Sequence, residues 1–236
     1  MKLLYLQNGP ARATVSGLEQ RFAGAGFDVD MVWAWGGETP QPAARYDACF
    51  VSGSPHGAYE DIDWIHREHD WLRALAERGA PTLGICFGSQ ILASALCGRD
   101  QVFRRETCEV GYMDLEVTPA ARGDALAGEL GASVHMFVWH NDEVRAGHRD
   151  MIVLARSPDC PNHIWRHARR PVWGVQGHPE VSAAQAQGWF ETARARLMAD
   201  GADVDALKRA ARDAVDADTM LVNFMRLASG GDRRAA

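Results

Sequence analysis

Thr82-Leu83-Gly84-Ile85 is a short buried-type run that passes through Cys86-Phe87-Gly88-Ser89-Gln90 into a helical pattern of Ile91, Leu92, Ala95 and Leu96. A strand can become a helix over so few residues only if the residue between them takes a tight, strained backbone. Small neighbours must also let the chain pass without a Cβ clash. This G-x-C-x-G spacing is the thiol version of a nucleophile elbow. It calls for an open α/β sheet, with Cys86 projecting above the carboxyl ends of the strands, where ligands bind in such folds.

The flanking pattern supplies that sheet. Lys2–Leu6 reads as a buried strand, followed by a turn at Asn8-Gly9-Pro10 and by Val15, Leu18, Phe22 and Ala25 at helical spacing, with Gly26 as the stop. Phe27–Trp33 and Ala48–Val51 are strands separated by Gly36-Gly37 and Pro40/Pro42. Asp63–Arg78 is a helix with Trp64, Ile65, Trp71, Leu72 and Leu75 on one stripe. The resulting β-α-β-β-α-β-α order predicts a mostly parallel, doubly wound, open sheet of the α/β class. From Val102 to Val175 the chain offers short strand-like runs (Val102–Arg105, Tyr112–Val117, His135–Trp139, Ile152–Ala155, His163–Arg166 and Val172–Val175), expected to include antiparallel ribbons. After Pro179 it turns helical over Ala183–Ala199, Val204–Asp216 and Met220–Ala228, with breaks at Gly201 and Asp218. Residues 1–230 read as a single domain in which 182–230 is a helical extension, and 231–236 as a tail. The extension's apolar stripe, which includes Leu197, Val204, Val215, Leu221 and Phe224, either caps the sheet or docks another protomer in a homo-oligomer.

Composition removes several function classes. The 236 residues hold 25 Lys+Arg against 31 Asp+Glu, a net charge of −6, so nothing draws the chain as a whole to nucleic acid. No stretch approaches the roughly 20 apolar residues of a membrane span, and the apolar start breaks at Gln7-Asn8-Gly9-Pro10, too early for a secretory signal. The five cysteines include no C-x-x-C pair, which argues against a disulfide framework or a zinc knuckle and for a reduced, cytoplasmic protein. No Gly-rich phosphate loop is present, and no cofactor is expected.

Three strand ends carry chemistry. Cys86 would sit at a helix N-terminus, whose partial positive charge favours a thiolate, and the N–H of Phe87 would face an oxygen that gains charge during attack. The bland alternative is a buried core cysteine, as read for Cys49 and Cys97, while Cys108 and Cys160 lie in polar segments without partners. A thiol nucleophile needs an imidazole to take its proton and a carboxylate to orient that ring. The segment Gly174-Val175-Gln176-Gly177-His178-Pro179-Glu180 offers His178 and Glu180 two apart, kept extended by Pro179. His140-Asn141-Asp142 offers the same spacing after another strand and stays a rival, with Pro179 favouring His178. Val51-Ser52-Gly53-Ser54-Pro55-His56-Gly57 ends a third strand in a turn able to present backbone N–H groups of Gly53 and Ser54. His163 and His167, and likewise His66 and His69, read as surface residues, so no metal site is expected.

With these motifs in place, G-I-C-F-G-S-Q and Q-G-H-P-E-V resemble the class I (triad-type) glutamine amidotransferase family, in particular its GMP-synthase-like stand-alone domains. Supporting matches are Ser52-Gly53-Ser54-Pro55, Glu109-Val110-Gly111-Tyr112 and Trp139-His140-Asn141-Asp142. The resemblance spans about the first 190 residues, to judge from where the motifs fall. It implies a flavodoxin-like fold and a Cys86–His178–Glu180 triad. It further implies an oxyanion hole from Phe87, Gly53 and Ser54, and substrate contacts from Gln90, Trp139 and His140. It also implies hydrolysis of glutamine's γ-amide through a γ-glutamyl thioester, with ammonia handed to a separate synthetase or released. Two departures stand out: Ser89, where a larger residue is usual and where the small side chain would leave room near a leaving group, and helices where an acceptor-activating domain would be. A stand-alone γ-glutamyl peptidase or amide hydrolase is therefore the first alternative. A catalytically silent binding module is the second, disfavoured by the intact triad. Other elbow-cysteine proteins lack the His-Pro-Glu element.

Overall fold

The computed structural model describes residues 1–14, 16–41 and 45–230; Val15, Pro42 and the expected tail fall outside them. Five parallel strands, β1 (Lys2–Gln7), β2 (Asp28–Trp33), β3 (Ala48–Val51), β4 (Thr82–Ile85) and β9 (Val172–Val175), lie in the order β2-β1-β3-β4-β9. Four more extend the sheet: β8 (Ile164–His167), β7 (Met151–Arg156), β5 (Val102–Val117) and β6 (Ser133–Val144), all antiparallel to their neighbours. The expected ribbons are therefore one continuation of the main sheet. β5 is longer than its sequence pattern suggests and is interrupted only by a register shift between Arg104 and Glu109.

β3, β4 and β9 are buried at every residue, as befits strands covered on both faces. Period-two alternation divides their side chains. Leu3, Tyr5, Phe50 and Ile85 face a core completed by Phe22 of α1 (Leu18–Gly24) and Phe224 of α7 (Val215–Ala228). Leu4, Leu6 and Val51 face the other way, toward α2 (Asp63–Glu77) and α3 (Phe87–Cys97). A third cluster packs α4 (Ala183–Thr192), α5 (Arg194–Ala199) and α6 (Val204–Ala210) on Phe137 of β6.

The C-terminal stripe thus caps this chain's own sheet, except Val215, which is 74% exposed. Asp218 does not break the last helix: it lies in the first turn of α7, where a carboxylate suits the helix dipole, and it pairs with both terminal nitrogens of Arg21. The break falls instead between the end of α6 and Val215. Two histidine assignments are also overturned. His69 is buried with Glu68 because positions 68 and 69 fall on the inward stripe of Ile65 and Leu72. His163 and His167 are buried because β8 is an interior strand between β7 and β9.

Candidate active site

Cys86 joins β4 to α3 with φ 54° and ψ −111°, the one non-glycine residue with positive φ among the described residues. The hydrogen bond from its N–H to the Val175 carbonyl (2.8 Å) and the bond from Gln90 N–H to the Cys86 carbonyl (3.2 Å) hold that conformation from both sides. The bracketing glycines are required sterically. A Cβ on Gly84 would meet the Gly88 carbonyl oxygen at 2.3 Å, and one on Gly88 would meet that of Val51 at 2.2 Å. Strain of this kind persists only where the surroundings impose it. Here buried β4 fixes one side and α3, buried from Phe87 to Ala95, fixes the other.

His178 follows β9, which pairs in parallel with β4, so both residues emerge at the same sheet edge. Its Nδ1–H donates to Glu180 Oε1 at 2.8 Å, leaving the other nitrogen for the Cys86 side chain, with which it hydrogen-bonds. Burial opposes a charge on this imidazole, yet the Glu180 carboxylate and the Cys86 sulfur outweigh it. They hold the His178 pKa well above the ordinary value. The pair is thereby set up as thiolate and imidazolium. Phe137 and Trp189 flank the ring, Trp189 edge-on at 5.9 Å between centroids.

The turn after β3 completes the edge. A Cβ on Gly53 would lie 3.5 Å from His178 Cε1 and 3.6 Å from Cys86 Cβ, so the backbone of this turn runs against both groups. Behind it, Ser52 Oγ accepts the Asn8 N–H at 2.9 Å, and Asn8 Nδ2 donates to the sealed carboxyl of Glu68 at 2.8 Å. Burial pushes the Glu68 pKa up to about 8.

Gly53, Ser54, Cys86, Gln90, Trp139 and His178 line one cleft of about 360 Å³. Gln90 Nε2 donates to the Asp142 carbonyl at 2.9 Å and lies 3.3 Å from Gln176 Oε1. The Trp139 carbonyl is 3.8 Å from Cys86 Sγ. His140 borders the cleft, but its Nδ1–H donates to the Asp142 carbonyl (3.0 Å) and its Nε2 faces Glu109, 2.6 Å away. The segment His140-Asn141-Asp142 lies inside β6 and not beyond its end, because residues of β5 pair with it, Glu109 opposite His140. Ser89 is no part of the cleft lining. Its hydroxyl accepts the Trp165 indole N–H at 2.9 Å on the buried side of α3, so it leaves no room beside a leaving group there.

Three features escape a reading of the sequence. Trp189 and Arg196, from the C-terminal helices, line the cleft, and Arg196 is its one lysine or arginine among the described residues. Cys160 is buried beside Glu109, His140 and His163, which supplies the companions that His163 lacks in one dimension. No amphipathic pattern signals such convergence, since its members lie on four separate segments.

The family model described as glutamine amidotransferase class-I matches residues 13–192. A glutamine-hydrolyzing GMP synthase subunit of Methanosarcina barkeri is 35% identical over 140 residues, 59% of this chain and 67% of the relative. A gamma-glutamyl-L-1-hydroxyisopropylamide hydrolase of a Pseudomonas species is 27% identical over 164 residues, 68% of this chain and 56% of the relative. A solved glutamine amidotransferase from Thermotoga maritima superposes with a TM-score of 0.81 at 22% identity, over 96% of this chain and 97% of that one, a likeness of fold. Among the described residues no helix is long and apolar enough to cross a membrane.

Proposed function

The chain belongs to the class-I glutamine amidotransferases, and on that premise we propose that it hydrolyses the γ-amide of glutamine through a γ-glutamyl thioester on Cys86. The observation that carries this reading is the strained elbow that holds Cys86 against a buried His178–Glu180 pair, with the Gly53 backbone beside both. The Cys86 thiolate attacks the γ-carbonyl carbon. The oxyanion then forms against the N–H groups of Phe87 and of the Gly53–Ser54 turn. As the tetrahedral adduct collapses, the C–N bond breaks and the His178 imidazolium gives its proton to the departing ammonia. The neutral imidazole next takes a proton from water, whose oxygen attacks the thioester; glutamate leaves and the thiolate–imidazolium pair returns. Glu180 fixes the ring's tautomer and supports its charge in both halves.

The cleft supports a division of labour along the substrate. Gln90, its amide nitrogen already committed to Asp142 and Gln176, keeps its carbonyl oxygen for the substrate. Trp139 walls the amino-acid end. His140 contributes through its place in β6, because both of its ring nitrogens point elsewhere. Arg196, at the cleft edge and 3.4 Å from Asn141 Oδ1, is placed to meet the α-carboxylate. Residues 1–230 act as one unit, with α4 to α6 as part of the cleft wall and not a separate module. Ammonia passes to a separate synthetase partner, as the name of the Methanosarcina relative implies for that protein.

The resemblance to the Pseudomonas hydrolase favours a second reading, in which the leaving group is a larger amine and no acceptor partner is needed. Glutamate release from glutamine and from a series of γ-glutamyl amides, with Cys86→Ala as the blank, separates the two. Glutamine with the highest kcat/KM supports the first, and a strong preference for a bulky amide replaces it by the second. Release undiminished in Cys86→Ala ends both. Labelling of Cys86 by a glutamine-like electrophile, read by mass spectrometry, disposes of a silent module.

A further inference from the structure

Behind the cleft wall, Glu109 of β5, His140 of β6, Cys160 after β7 and His163 at the entry to β8 converge in the interior. Each offers one ligand-type atom, and these atoms all lie within 4.8 Å of one another. All four residues are buried, His163 and Cys160 completely. Because His140 Nδ1–H donates to the Asp142 carbonyl, the neutral ring carries its lone pair on Nε2. That lone pair stands 2.6 Å from Glu109 Oε2, and neither atom has a hydrogen-bond partner. His163 Nε2 approaches the same oxygen at 3.5 Å. Two lone pairs at such a distance repel unless positive charge lies between them, and the contact lacks the geometry of a shared proton.

We propose that Glu109, His140, Cys160 and His163 form a closed, structural binding site for a zinc-type divalent cation. The donor set is one carboxylate, two imidazoles and one thiol, the mixture that suits zinc and not the hard, all-oxygen cations calcium and magnesium. Four protein ligands leave no open position for substrate, so the metal holds structure and performs no chemistry. Binding replaces the Cys160 thiol proton by a sulfur–metal bond and releases that proton. Thiolate and carboxylate then balance the dication, and the buried cluster is neutral. The supporting contacts are of the kind metal ligands use: His140 Nδ1–H on a carbonyl, and the Ser157 hydroxyl bonded to both the Cys160 N–H (3.0 Å) and His163 Nε2 (3.2 Å).

The site would pin β5, β6, the 157–160 turn and β8 together. Through His140 it would also fix the Asp142 carbonyl that holds Gln90 and the strand that carries Trp139. The metal therefore positions the substrate wall without touching it, whichever γ-glutamyl compound is the substrate. Protein purified without chelators is expected to contain close to one zinc per chain by elemental analysis. Cobalt exchanged for it is expected to show a thiolate-to-metal charge-transfer band and tetrahedral d–d bands. Cys160→Ser should lose the charge-transfer band, while Cys108→Ser keeps it. Stripping the metal should lower the melting temperature by several degrees and raise KM more than it lowers kcat, both restored by added zinc. If Cys160→Ser does not fold, the cobalt spectrum of the unaltered protein still decides. Chain purified metal-free that takes up neither zinc nor cobalt, or binds cobalt without a thiolate band, overturns the proposal.

Discussion

The molecule holds two buried assemblies built from the same three side-chain types, and they differ in almost everything else. Cys86, His178 and Glu180 stand at the carboxyl edge of the parallel strands and face a cleft; Cys160, His140, His163 and Glu109 are sealed within the antiparallel half. In the first, one imidazole bridges a carboxylate and a sulfur that a strained backbone pushes forward. In the second, two imidazoles crowd one carboxylate oxygen, and the thiol comes from an unstrained turn. The pull of Glu180 and Cys86, acting against burial, leaves His178 ready to hold a proton, whereas the second assembly's imidazoles draw the Glu109 pKa well below the carboxylate range against the cost of burial. Access and backbone geometry, more than residue type, decide which cluster can turn over a substrate and which can only hold structure.

The largest test of that contrast is the nucleophile. Cys86→Ala should cut glutamate release by about ten-thousand-fold or more, while Cys160→Ala, measured alongside by melting temperature, should cost stability first. Equal losses of turnover from the two would erase the distinction. Next comes the orienting carboxylate: Glu180→Gln should lower kcat/KM on the order of a hundred-fold and bring the alkaline limb of its pH profile downward. The direction follows from the raised His178 pKa, since removing the negative neighbour lets the imidazolium lose its proton at lower pH. A limb that stays in place assigns it to another group. The open cluster alone has a cation at its mouth, so Arg196→Ala should raise KM about ten-fold with kcat little changed, and Arg196→Lys should restore part of it. The smallest effect concerns Glu68, a buried carboxyl with an amide and no imidazole for a partner. Its folded pKa of about 8 lies above the unfolded one, so the native state keeps a proton that the unfolded chain has lost. Stability drains away as pH rises from the unfolded value toward 8. Glu68→Gln should therefore be more stable than the parent by roughly 1–3 kcal/mol at pH 8 and gain little at pH 4, as read from denaturant melts at the two pH values.

How much of this is legible depends on how far apart in sequence the cooperating residues lie. The elbow can be read because strand, cysteine and helix are contiguous, and the two glycines have no other role than close passage. His178 and Glu180 can be read because an extended segment puts alternate residues on one side. Family resemblance then supplies roles for Gln90, Trp139 and His140 that spacing does not reveal. The antiparallel half is visible only as short runs. Its register, which sets Glu109 opposite His140, depends on pairing across more than one turn. His163 and His167 look exposed by polarity alone, and only the neighbours on both sides of β8 bury them. His69 and Asp218 carry usable signals, the 3.6-residue stripe of α2 and the acidic first turn of α7. In both, residue type points the other way and position prevails.

The parallel pairing of β4 with β9, Thr82 beside Val172, has a consequence for how the molecule comes into being. The strands that bear Cys86 and His178 are adjacent in space yet separated by the whole antiparallel excursion, and Phe224 of α7 still has to close over Phe22. Contacts this distant along the chain form late, after the loop entropy of the intervening segment has been overcome. During synthesis or refolding, the cysteine's half of the edge exists well before its imidazole arrives. Recovery of turnover should then follow the slowest, global step of folding, and the exposed aromatic face of β1 and β3 is the surface a chaperone would meet first.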